Sequence, residues 1–100
     1  MDESELYAIL RQVVDPEVGV DVVELGLVEA VRLRPDHIHV AMIMTTPACP
    51  QAGQIVDEAR DLIVRAAGPG IEVEVELLDT PFWTPERMSD TARAALGWGG

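Results

Sequence analysis

Between Ile38 and Leu77 the chain follows a pattern that few folds can satisfy. An apolar strand at 38–44 runs into Thr45-Thr46-Pro47-Ala48-Cys49-Pro50, then a helix expected over 50–67, then a strand at 71–77. In the helix, Ala52, Ile55, Val56, Ala59, Leu62, Ile63 and Ala66 form one apolar stripe at the 3.6-residue spacing. Gly68-Pro69-Gly70 then ends it. In the strand, Ile71, Val73, Val75 and Leu77 alternate strictly with Glu72, Glu74 and Glu76, the mark of one buried and one wet face. A strand–helix–strand crossover within one sheet is right-handed and makes its two strands parallel.

The remaining segments extend this unit. Leu6, Ile9, Leu10 and Val13 predict a first helix over 4–14, capped by Asp2 or Ser4 and stopped by Pro16. Asp15-Pro16-Glu17 opens a loop, and two carboxylates around a proline read most simply as a solvated turn. Asp21 caps a short turn over 22–25 that Gly26 closes in a left-handed conformation. A strand over 27–34 follows, with Leu27, Val31 and Leu33 on one face and Val28, Ala30, Arg32 and Arg34 on the other. Pro35 and Asp36 suit a tight reversal that pairs it as a hairpin with the strand at 37–44. His37 and His39 share a face there and could chelate a metal, although two solvated histidines are the simpler reading. Thr80 to Pro85 is a stiff loop around Phe82 and Trp83, with Trp83 expected to plug the end of the core. A last helix is expected over 89–96.

The order α-β-β-α-β-α therefore predicts a single α+β domain over residues 1–100. It is a two-layer sandwich, a small mixed three-stranded sheet with helices packed on one face. Bulk composition narrows the function. A net charge of −11 argues against binding nucleic acid or an anionic membrane surface, both of which call for clustered Lys and Arg. One cysteine permits no intrachain disulfide, and the acidic N-terminus is unlike a secretion signal. The expected setting is the cytoplasm.

The lone cysteine occupies a chemically favoured place. Pro50 fits the first helical position, which sets Cys49 at or beside the N-cap. Free backbone N–H groups and the positive end of the helix dipole favour the thiolate there, the form that attacks electrophiles and binds metals. Thr45 and Thr46 add hydroxyl donors on the same turn. The plain alternative is a buried apolar thiol.

Three segments taken together, Asp15-Pro16-Glu17, Val23-Glu24-Leu25-Gly26-Leu27-Val28 and Thr45-Thr46-Pro47-Ala48-Cys49-Pro50, resemble the small metal–sulfur cluster assembly factors. That family includes the SufT-type proteins, the PaaD-type proteins and the eukaryotic targeting factors of the MIP-eighteen type. Pro81 and Trp83 resemble the end of its core, so the likeness covers about residues 5–83. Its motif positions fall on Asp15, Glu17, Gly26, Thr45, Thr46 and Cys49. Glu24 stands where the family more often has Asp, and Asp21 where Asn is frequent. PaaD-type members look to carry further cysteines in a tail; with none here, the likeness is to the bare domain, which makes a phenylacetate-pathway role a weaker expectation.

The resemblance implies a non-enzymatic accessory role in iron–sulfur cluster assembly or delivery, with cluster-assembly proteins and apo iron–sulfur clients as partners. An iron–sulfur cluster or iron would be held transiently, with Cys49 as its metal ligand. Thr45 and Thr46 would steady the sulfur, and Asp15 and Glu17 would serve as hard ligands or acid–base partners. A two-iron cluster needs four protein ligands, so one cysteine calls for a homodimer, a small thiol or a client's cysteines. Two other classes stand beside this one. A metal-free adaptor would use the 80–85 loop and the acidic row Glu72, Glu74 and Glu76. A thiol enzyme would need His37 or His39 near Cys49, yet both lie toward the far end of their strand.

Overall fold

In the computed structural model, which describes residues 1–16, 19–44 and 52–95, the chain begins with α1 (Glu3–Leu10). The Asp2 carboxylate caps it by accepting the Glu5 N–H at 2.8 Å. Leu6 and Leu10 are fully buried. The helix ends earlier than the apolar spacing predicts. Gln12 and Val13 donate to Ile9 and Leu10, tightening the last turn, and the chain then extends into β1 (Val14–Asp15). Two physical reasons agree: β-branched Val13 and Val14 favour extended backbone, and β1 has a partner strand in β2 (Val20–Asp21). This antiparallel pair replaces the expected loop, with Gly19 at φ +73° closing it.

Residues 22–26 then make the predicted turn. The Asp21 carboxylate accepts the N–H groups of Val23 and Glu24 at 3.0 and 3.1 Å, and Gly26 is left-handed at φ +76°. The main sheet follows, with β3 (Val28–Arg34) antiparallel to β4 (His37–Met42) and β4 parallel to β5 (Glu72–Leu77). A bulge between Val28 and Ala30 corrects the predicted facing of β3. It passes Glu29 outward and rotates Val28 onto the core face, where Val28, Val31 and Leu33 stand opposite Met42, Val40 and Ile38.

Helix α2 (Ala52–Ala67) packs against α1 and β5 and sends Ile55, Ala59 and Ile63 into the core beside Ile38, Val40 and Met42. Ala66, expected within the stripe, is exposed. Along β5, Val73 is buried and Val75 partly so, but Leu77 at the strand's end is 44% exposed. The C-terminal segment holds a 3-10 turn (Pro85–Arg87) and α3 (Asp90–Ala95), which the Ser89 hydroxyl caps by accepting the Ala92 N–H at 3.0 Å. The two-layer α+β architecture with a mixed three-stranded sheet is as the sequence implies. Among the described residues, no helix is long and apolar enough to cross a membrane.

Candidate functional site

Of the five residues assigned to the expected cluster site, Asp15 is the one the structure describes. Cys49, Thr45, Thr46 and Glu17 lie outside the described residues. Asp15 is only 2% exposed, which corrects the reading of this carboxylate as solvated, while Pro16 and Gly19 of the same loop are exposed. Its backbone pairs with Val20 and its carbonyl accepts the Gly19 N–H at 2.8 Å. A buried carboxylate is costly unless polar groups meet it, and Asp15 does not stand alone.

Backbone hydrogen bonds carry Asp15's neighbourhood across to the strand that leads into residues 45–50. Val22 donates to Val13 at 2.9 Å, Leu27 donates to Val22 at 2.9 Å, and Ile43 donates to Leu27 at 2.8 Å. These links tie the end of α1, the 22–26 turn and the last residues before Thr45 into one end of the sheet. Met42 is locked there as well, its carbonyl accepting the Leu78 N–H at 2.8 Å. His37 lies at the opposite end of β4, roughly five strand steps of about 3.3 Å from Met42. Among the described residues, no three His, Cys, Asp or Glu side chains are arranged to hold a metal ion. The two histidines face glutamates instead, His39 meeting Glu76 at 3.2 Å.

The same end carries a clamp that the sequence did not disclose. Three successive carbonyls of the turn each accept a donor from residues 83–89. Leu25 accepts the Trp83 indole N–H at 2.7 Å, Gly26 accepts Arg87 Nε at 2.9 Å, and Glu24 accepts the Ser89 N–H at 2.8 Å. Trp83 thus packs against the core as a plug, while neighbouring Phe82 is 74% exposed. Arg87 also pairs with Glu29 at 2.7 Å, at the bulge. The Glu24 carboxylate is held by the Ser89 hydroxyl and the Arg11 guanidinium, and these two contacts pull its pKa below the ordinary carboxylate value. Gly26 is left no room: a Cβ there would lie 2.3 Å from the Arg87 carbonyl oxygen. The sequence contained one signal for this clamp, an aromatic pair and an arginine following a proline loop, but nothing in it names the turn as their target.

Known proteins resemble this arrangement along almost its whole length. An Fe-S protein maturation auxiliary factor of Bacillus subtilis, YitW, is 41% identical, with 95% of this chain and 93% of that protein covered. The auxiliary factor SufT of Staphylococcus aureus is 38% identical, with 85% and 97% covered. A crystal structure of a domain of unknown function, DUF59, from Bacillus anthracis superposes with a TM-score of 0.87 at 43% identity, covering 95% of this chain and 91% of that one. The model of the iron–sulfur cluster assembly protein family matches residues 3–77. The chain belongs to that iron–sulfur cluster assembly protein family.

Proposed function

We propose that this protein is an accessory factor that helps assemble iron–sulfur clusters or deliver them to apo-proteins in the cytoplasm, without itself being an enzyme. The observation that supports the reading is the chain of backbone hydrogen bonds from Val13 to Ile43, which links the stretch before buried Asp15 and the 22–27 segment to the residues that precede Thr45. In this reading Cys49 supplies a soft thiolate donor to a cluster that is cargo. Thr45, Thr46 and the first N–H groups of the helix steady the sulfur, and Asp15 and Glu17 provide hard oxygen donors or receive a proton. The carboxylates must stay far enough from the sulfur not to suppress the thiolate. A single thiolate cannot complete a cluster's ligand shell, so retention is weak and the remaining ligands come from a client or a second copy. Labile holding suits a delivery factor. Anaerobic reconstitution with iron and sulfide tests the assignment: the wild type develops visible cluster absorbance and Cys49→Ser does not. Equal absorbance in both would remove Cys49 from the role.

One observation favours a second reading, a metal-free adaptor for cluster-receiving clients. Phe82 stands 74% exposed on a loop whose neighbour Trp83 is anchored to Leu25. An apolar side chain held outward on a fixed support suits a contact surface. Recovery of apo iron–sulfur proteins from a native extract by Cys49→Ser, lost on Phe82→Ala, would establish the adaptor.

A further inference from the structure

The outward face of the sheet near the β3–β4 reversal carries a second cluster of chemistry, away from the motif end. An open groove of about 260 Å³ is lined by Arg32, Arg34, His37, His39 and Glu74. Ladder register creates it, since Arg32 stands opposite His39 and Arg34 opposite His37. Two of the chain's seven basic residues and both of its histidines thus share one surface of a protein whose net charge is −11. Both arginines are exposed, and among the described residues neither makes an ion pair. His37 Nε2 is buried yet has no hydrogen-bond partner among the described residues. Its nearest carboxylate oxygen, on Glu74, is 3.6 Å away, and the other Glu74 oxygen is 4.0 Å from His39 Nε2. Both separations exceed hydrogen-bond length.

We propose that this groove binds a small oxyanion of the carboxylate or phosphate class, gripped by Arg32 and Arg34 with His37 Nε2–H as the third donor. Guanidinium forks match the planar or tetrahedral oxygen sets of such anions, and a donor left unsatisfied beside them completes the cradle. A cation is the poorer occupant, because two guanidiniums flank the imidazoles. Extended polyanions are repelled by the surrounding negative charge, which selects small ligands. Glu74 is the built-in competitor: its carboxylate leans toward both imidazoles without bonding either, and an arriving anion must displace it.

The test is an amide-shift titration of the full chain with sodium phosphate in one arm and sodium succinate in the other, at constant ionic strength set with sodium chloride. Saturable shifts at residues 32–39 and 74 are expected in at least one arm, and the arm that saturates names the anion class. Arg32→Gln/Arg34→Gln removes both guanidinium contacts and lowers affinity by about tenfold or more. Glu74→Gln raises affinity by about threefold, because a competing charge is gone. The second variant separates recognition from damage, since a misfolded face does not bind more tightly. Shifts that fail to saturate in both arms, an unchanged affinity in the double variant, or weaker binding by Glu74→Gln would each overturn the proposal.

Discussion

The two ends of the main sheet are built by different physics. At the motif end, backbone carbonyls of the 22–26 turn meet donors from residues 83–89, and apolar side chains such as Val22, Leu25 and Leu27 are fully buried. At the reversal end, the outer face sets polar side chains side by side across the strands, arginine on β3, histidine on β4 and glutamate on β5. The first end is fixed by shape and by hydrogen bonds to backbone carbonyls. The second is a row of solvent-facing polar and charged side chains, whose interactions salt screens. A factor that must hold motif segments in register while meeting changing partners gains from keeping the rigid and the responsive parts apart.

If the clamp is as rigid as its geometry implies, two glycines of nearly equal backbone conformation should respond very differently to alanine. Gly19 and Gly26 have φ of +73° and +76°. A Cβ at Gly19 meets nothing within 4 Å, whereas at Gly26 it strikes the Arg87 backbone. Gly19→Ala should cost about 1 kcal/mol, the left-handed penalty alone. Gly26→Ala adds a collision with main chain and should cost about 3 kcal/mol or more, a large share of a small domain's stability. Urea unfolding midpoints measure both. Similar losses would mean that the 83–89 segment yields, and the contrast between the two ends would weaken.

Trp83→Phe sharpens the same point with a smaller effect. The ring's apolar contact is largely kept, but the Leu25 carbonyl loses the donor now at 2.7 Å. A loss of about 1–2 kcal/mol with an unchanged urea m-value is expected. A negligible loss would show water taking over the carbonyl.

How much of this was legible in the chain depends on the range of the interaction. The α2 stripe, the alternation of β5, the Asp21 cap and the left-handed Gly26 are local patterns, and each is present in the structure. The β1–β2 pair was not readable, because two-residue strands show no periodicity. Nor was the bulge at Glu29, since one inserted residue reverses the facing of Val28 without any change of composition. The clamp joins residues 58 to 65 positions apart, beyond the reach of any spacing rule. Within the candidate site, Asp15 was legible as a motif residue but not as a buried one, because an acid next to a proline reads as a solvated turn.

Acid sensitivity offers the finest test, because the clamp contains a charge-dependent element, the Glu24 carboxylate. The Ser89 hydroxyl, and after it the Arg11 guanidinium, hold its folded-state pKa below the ordinary value of 4.5, against a smaller opposing effect of burial. A carboxyl group depressed by folding contributes stability that is present above its unfolded pKa and lost as pH falls through its folded one. The domain should therefore lose stability below about pH 4.5 through this group. Solvent limits the size, since the Arg11 and Glu24 side chains are 51% and 24% exposed, and the expected contribution is about 0.5–1 kcal/mol. Urea midpoints followed from pH 6 to pH 3 should fall less steeply in Glu24→Gln than in the wild type. Ser89→Ala and Arg11→Gln should each remove part of that slope, since both contacts lower the Glu24 pKa. A slope in Glu24→Gln as steep as in the wild type would show that this carboxylate does not carry the acid sensitivity of the clamp.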